Sequence, residues 1–193
     1  MRAMHRLALA VSAIVLVFAA GCAPQAQTFG GKRTERPPQK IVSLSPGTTE
    51  IVAAAGLNTV LKGRTQACDF PAYVTGSVPI VAGVKPDYER IAEIRPDLVV
   101  YDAELYDPAD IAKLDALKTK TLAFKADTID DYVDFVGKFA AITNAESTLS
   151  SYVDKVEAAR AVAQSEKPSP APKVAVVMGG SGVSYVSGKD GFL

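Results

Sequence analysis

The segment Lys40 to Gly56, KIVSLSPGTTEIVAAAG, limits the fold more than any other part of the chain, because an apolar strand runs directly into a Ser-Pro turn and an amphipathic helix. Ile41, Val42 and Leu44 read as a short buried strand, while Ile51, Val52 and Ala55 fall on one helical face. Gly56 is placed to stop that helix in the left-handed conformation. A strand that ends where a helix begins turns backbone N–H groups and the positive end of the helix dipole toward one rim.

The same unit recurs downstream. Val60 to Arg64 and Val78 to Val81 are brief extended pieces separated by a Pro-containing loop. Asp87 is positioned to cap a helix from Tyr88 to Ile94, which Arg95-Pro96 ends. Asp97 to Tyr101 is the clearest buried strand, and Asp107 with Pro108 opens a helix to about Leu117. Thr121 to Phe124 is a further strand, and Thr128 with Asp131 has the spacing of a capping box for a helix to about Ile142. Strands alternating with helices of this length predict right-handed βαβ units on a largely parallel sheet, an α/β, Rossmann-like lobe.

From Ala145 to about Ser165 the pattern changes. Leu149, Val153, Val156, Ala159 and Ala163 recur at helical spacing, which predicts one helix about 30 Å long. A stiff connector with three prolines follows at 167–172, and then a strand from Lys173 to Met178 and another from Val183 to Ser187. The expected organisation is therefore a lobe at 40–143, a long helix at 144–166, the connector, and the start of a second α/β lobe at 173–193.

The beginning of the chain reads as an address. Residues 1–21 carry Arg2 and Arg6, then an apolar run of about 14 residues, too short to cross a hydrocarbon core of about 30 Å. Ala19-Ala20-Gly21-Cys22 resembles a bacterial lipobox, with Ala19 where leucine is usual; that resemblance makes Cys22 the lipidation site of a mature protein outside the cytoplasm. The other reading is an ordinary secretory signal cut near Ala20, leaving Cys22 a free thiol. Residues 22–39 show no hydrophobic period and read as a flexible tether. Cys22 and Cys68 are the only cysteines, so a lipidated Cys22 leaves no internal disulfide. With 21 basic and 21 acidic residues there is no basic excess to call for nucleic acid.

KIVSLSPGTTEIVAAAG, ACDFP (Ala67 to Pro71) and DYERIAEIRPDLVVYD (Asp87 to Asp102), with YVSGKDGFL at the end, together resemble the amino-terminal lobe of substrate-binding proteins of iron-siderophore, haem and cobalamin ABC importers. The resemblance covers about Lys40 to Leu193. It implies two α/β lobes bridged by one long helix, a metal chelate held in the cleft between them, and delivery to a membrane permease by a monomeric carrier. The second lobe of that family runs for about a hundred further residues, so the chain is expected to be a fragment or a truncated product. Were it a true one-lobe remnant, it would act as a structural or interaction lipoprotein without ligand transport.

Ligand contacts on such sheets gather at the carboxyl ends of the strands. By that rule the candidate ligand-binding residues are Ser45, Arg64, Lys85 and Tyr101, Arg64 being a weaker choice together with Tyr73. The Lys85 ammonium suits a carboxylate, phosphate or anionic chelate, or is simply solvated. Tyr101 offers an aromatic face or forms a core edge with a wet hydroxyl. Thr48 and Thr49 read as helix caps. The resemblance implies that Glu89 docks the permease; an exposed first-turn glutamate also answers the helix dipole by itself. It also matches Ala67 to a position where cobalamin-binding relatives carry an aromatic, a surface alanine lacks.

No metal site or cofactor is expected. Cys68 has no histidine or second thiol to join it and reads as a packed structural thiol. The only histidine, His5, lies in the expected leader, so no Ser-His-Asp or Cys-His device is available. Gly182 to Lys189 has the wrong spacing for a phosphate loop, and the carboxylates form no catalytic pair. The chain is expected not to be an enzyme.

Overall fold

In the computed structural model of the chain, residues 35–170, 172, 173, 175, 177–180 and 183–186 are described. The expected leader, Cys22, most of the tether and residues 187–193 lie outside the described residues.

Five strands and five helices alternate through the first lobe. They are β1 (Ile41–Ser43), α1 (Pro46–Ala54), β2 (Leu61–Thr65), α2 (Tyr73–Ser77), β3 (Ile80–Ala82), α3 (Tyr88–Ile94), β4 (Leu98–Asp102), α4 (Pro108–Ala116), β5 (Lys120–Phe124) and α5 (Ile129–Thr143). The sheet order is β3-β2-β1-β4-β5, and every neighbouring pair is parallel. β1 therefore lies in the middle, and the chain first winds outward through β2 and β3, then crosses over to β4 and β5. That reversal makes a topological switch point between β1 and β4, where the outgoing connections diverge to opposite faces.

Burial follows the switch. On one face α1, α2 and α5 cover Ile41, Leu61, Leu98 and Val100, with Ile51, Val52, Val74, Phe135 and Phe139 in the same core. On the other, α3 and α4 bring Ile91 and Leu114 onto Val42, Val81, Val99 and Tyr101. The alternation Ile41/Val42 and Leu98/Val99/Val100/Tyr101 thus reads out the two faces residue by residue, and burial on both explains why these strands are apolar throughout. In β2 the register slips between its pairings with Ile41 and Val42, so Leu61 and Gly63 serve opposite faces. A side chain at Gly63 would meet Val81 Cγ2 at 2.9 Å and Val42 Cγ2 at 3.2 Å, which is why the position carries none.

The caps are those the sequence spells out. Asp87, Asp107 and Thr128 cap α3, α4 and α5, each accepting from the N–H three residues on. Thr128 Oγ1 also donates to Asp131 Oδ2 at 2.7 Å, and the Asp127 N–H donates to the same oxygen at 3.2 Å, so the Asp131 side chain reaches back to the start of the helix. Gly56 has a φ of 74°, the left-handed stop that its position after α1 predicts. Two details differ from expectation. The cap of α1 is Ser45, whose Oγ accepts from Thr48 N, so Thr48 and Thr49 sit inside the first turn. α2, inside the Pro-containing loop, has no side-chain cap, and five residues are too few to show a helical period.

α6 (Glu146–Ser165) is a single helix of 20 residues, as its periodicity predicts. It turns back along α5 after the left-handed Asn144 and buries Leu149 and Val153 in the α1/α5 core. The hydroxyls of Tyr132 and Tyr152 meet at 2.9 Å, and Arg160 Nη1 reaches Asp130 Oδ1 at 2.6 Å. β6 (Val177–Gly180) and β7 (Val183–Val186) form an antiparallel pair separate from the main sheet. Among the described residues no helix is long and apolar enough to cross a membrane.

Candidate ligand rim

Because all five strands run the same way, the loops that leave their carboxyl ends share one edge of the lobe. Adjacent strands lie about 4.8 Å apart, so the tips of β3, β2, β1 and β4 span about 14 Å.

The tip of β1 is a buried hydroxyl cluster. Thr48 Oγ1 lies 2.7 Å from Ser43 Oγ and 2.8 Å from Ser45 Oγ. Thr49 Oγ1 is 2.8 Å from Ser43 Oγ and 3.1 Å from Cys68 Sγ, and Thr65 Oγ1 approaches the same sulfur at 3.1 Å. Ser43, Ser45, Thr48, Thr49, Thr65 and Cys68 are all buried, so these groups satisfy one another in place of water. Ser45 is at the rim by position, but its side chain works as a cap within this cluster. Cys68 is a packed thiol, and the described residues contain no cluster of His, Cys, Asp and Glu able to hold a metal.

Arg64 is not brought to the rim surface. It is buried on the α2 side of β2, where its guanidinium donates to five carbonyls. Nε reaches Val74 O at 3.1 Å and Val78 O at 3.0 Å. Nη1 reaches Thr65 O at 3.0 Å and Cys68 O at 3.1 Å, and Nη2 reaches Thr75 O at 3.1 Å. These bonds close the turn that carries Cys68 to Tyr73. Tyr73 lies half-exposed with its hydroxyl donating to Asn58 Oδ1.

The tip of β3 presents Lys85, but not as a bare ammonium. Its Nζ is 3.0 Å from Asp110 Oδ2 and 3.2 Å from Asp107 Oδ2, both on α4 or its cap. The side chain of Asp110 is only 3% exposed, against 62% for Lys85, and its other oxygen accepts from the Tyr88 hydroxyl at 2.7 Å. The Tyr88 bond and then Lys85 hold the Asp110 carboxyl below its ordinary range, while the Asp110 N–H and then Lys85 do so for Asp107. Hydrogen bonds to Asp110 and then Asp107 raise the Lys85 ammonium above its ordinary value.

The signs of these shifts set a pH window. The depressed carboxylates contribute stability above the ordinary carboxylate range and lose it as pH falls through their folded values. Lys85, raised, contributes below its ordinary range and loses it as pH rises through its folded value. The stability difference between the protein and Lys85→Met is therefore expected to be flat from about pH 5 to about pH 9 and to shrink outside that window. Thermal melts across pH measure it, and a difference that does not shrink outside the window would show that this contact is not made in solution.

Tyr101, at the end of β4, is buried in the core beneath α3 and α4, and burial raises its hydroxyl above the ordinary range. Next to it Tyr106 donates to Leu44 O at 2.7 Å, tying the β4 loop to the tip of β1, and burial pushes its hydroxyl up to about 12. Glu89 is exposed in the first turn of α3. The structure thus gathers Ser45, Lys85 and Tyr101 at the rim end of the sheet but leaves only Lys85 facing solvent.

Three large apolar side chains face solvent there, among charged neighbours. Phe70 is 62% exposed, Val84 94% and Leu105 58%, one at each of the tips of β2, β3 and β4. Sequence patterning does not single them out, because an exposed apolar residue in a loop looks like any other loop residue. Asp110 is missed for a different reason, since a first-turn aspartate reads as dipole chemistry. A separate groove of about 450 Å³, lined by Lys40, Asn58, Lys62, Pro79 and Glu93, opens at the opposite, amino-terminal ends of β1 to β3.

Comparison with known proteins agrees with this architecture. The family model described as periplasmic binding protein matches residues 41–192. A vitamin B12-binding protein of Vibrio cholerae is 32% identical over 101 residues, which cover 49% of this chain and 37% of the relative. A periplasmic heme binding protein from Pseudomonas aeruginosa superposes with a TM-score of 0.63 at 22% identity, over 79% of this chain and 57% of the other. The petrobactin-binding protein of Bacillus subtilis does so with a TM-score of 0.68 at 16% identity, over 83% and 56%. At these identities the two structures share the fold, and the chain spans little more than a third of the curated relative's length.

Proposed function

The chain belongs to the periplasmic binding protein family, and from that membership we propose that it is the ligand-capturing part of an ABC importer that takes up a metal chelate, such as a ferric siderophore, haem or a corrinoid. The observation that carries this reading is the row of exposed apolar side chains, Phe70, Val84 and Leu105, on successive loops of a rim that is otherwise locked by hydrogen bonds. A soluble lobe has no folding reason to expose all three at one edge, whereas a hydrocarbon-rich chelate gains by covering them. Ser45, Lys85 and Tyr101 stay in the reading as the frame under those tips, and Arg64 as the staple that holds the Phe70 turn.

The remaining parts follow from the same role. Residues 1–21 direct export, Cys22 carries lipid at a bacterial membrane, and 22–39 let the body at 40–143 stand off that membrane. α6, within 144–166, bridges to a second lobe that begins at 173–193 after the connector at 167–172, and Glu89 contacts the permease. The role is non-catalytic: the protein binds and releases its ligand unchanged.

The test is colour. The complete gene product, mixed in turn with ferric siderophores, hemin and cyanocobalamin and then desalted, is expected to retain one class of chromophore at about one per chain. Phe70→Ser with Leu105→Ser is expected to weaken that retention about tenfold or more, since an apolar side chain covered by ligand is worth up to about 1.5–3 kcal/mol. If no class is retained by the unaltered protein, the chelate reading falls.

A further inference from the structure

The rim's charge points to one kind of chelate. Over the tips of β3, β2, β1 and β4 the basic side chains are Arg64 and Lys85, and both are already engaged within the protein. The loops that leave β2, β3 and β4 also carry Asp69, Asp87, Asp102, Glu104 and Asp107, exposed or half-buried, and Asp107 meets Lys85 directly.

We propose that Asp110, with Asp107 beside it, is a specificity-determining residue that makes this rim select a neutral or cationic chelate over an anionic one, by occupying Lys85 with internal counter-ions. The inference rests on the chelate reading above and adds the charge class of the ligand. An anionic group that took Lys85 for itself would pull the ammonium from Asp110, whose side chain is 3% exposed, and leave a buried carboxylate with only the Tyr88 hydroxyl. Taking the ammonium away is costly because the carboxylate left behind is itself held away from water. An anion that left the pair intact would sit against two carboxylates. A neutral or cationic chelate meets neither obstacle and still covers Phe70, Val84 and Leu105. The arrangement rejects a competitor instead of gripping a favourite.

Tyr88 fixes the device in place. Its ring carries the Lys113 ammonium at 5.3 Å from the centroid, and its hydroxyl holds Asp110 Oδ1, leaving Oδ2 aimed at the loop that bears Lys85. α3 and α4 thus hold a buried carboxylate beneath an exposed lysine.

The test uses the complete gene product and three probes: ferrioxamine B as a cationic chelate, cyanocobalamin as a neutral one, and hemin with its two carboxylates. Equilibrium dialysis read by visible absorbance is expected to show the cationic or the neutral probe bound at least about tenfold more tightly than hemin. Asp110→Asn and Asp107→Asn are each expected to narrow that ratio, by about tenfold for Asp110, with thermal melts confirming a folded protein. Asparagine at 107 retains the helix cap, so this variant keeps the question open to measurement even if the change at 110 prevents folding. Hemin bound as tightly as the other probes by the unaltered protein, or a ratio unmoved in the folded variants, would overturn charge selection while leaving the importer reading standing. Retention of none of the three would overturn both.

Discussion

Arg64→Ala is expected to lower the stability of the protein by about 3–5 kcal/mol, the scale of breaking a buried charged network. The guanidinium closes the β2 turn by donating to the carbonyls of Thr65, Cys68, Val74, Thr75 and Val78. Alanine leaves these acceptors without a donor and opens the space the side chain filled. Arg64→Lys is expected to recover only part of the loss, because an ammonium donates from one point whereas these carbonyls are arranged around a planar fork. Urea unfolding followed by circular dichroism measures both. A fully stable Arg64→Ala protein that has lost only ligand binding would place the guanidinium at the ligand and refute the staple.

Phe139→Ala is expected to cost a similar amount, about 3–5 kcal/mol, for a different reason. Phe139 is fully buried on α5, packs beside Phe135 with ring centroids 6.5 Å apart, and belongs to the core that receives Leu149 and Val153 from α6. Its removal leaves a cavity at the junction of sheet, α5 and α6, so the loss should appear as a drop in melting temperature of about 10 °C. Val162→Ser, on an exposed part of α6, is expected to stay within about 0.5 kcal/mol of the unaltered protein. Equal effects at the two positions would mean that α6 is not seated on α5 as described.

The fold was legible where local chemistry and tertiary demand agree. Asp87, Asp107 and Thr128 announce their helices because a cap needs only a neighbour three residues away. Ile41, Val42 and the run from Leu98 to Tyr101 announce buried strands because both faces of a central strand are covered. α2 escapes notice because its helix is a product of the carbonyls that Arg64 collects, a long-range cause with no periodic trace.

The site was less legible than the fold. Position along the chain places Lys85 and Tyr101 at strand ends, yet whether a side chain there meets ligand, core or counter-ion depends on what the next helix brings. α4 brings Asp110 to Lys85, and α3 and α4 together bury Tyr101. Arg64 shows the same limit through parity. The register slip in β2 decides which face each side chain takes, and no local signal marks it.

The hydroxyl and thiol cluster at the tip of β1 has a kinetic corollary. Six small polar side chains that bond to each other leave this corner rigid before any visitor arrives, so little ordering entropy is lost there on association. That corner is a mould already set, with no local rearrangement left to slow an arriving molecule.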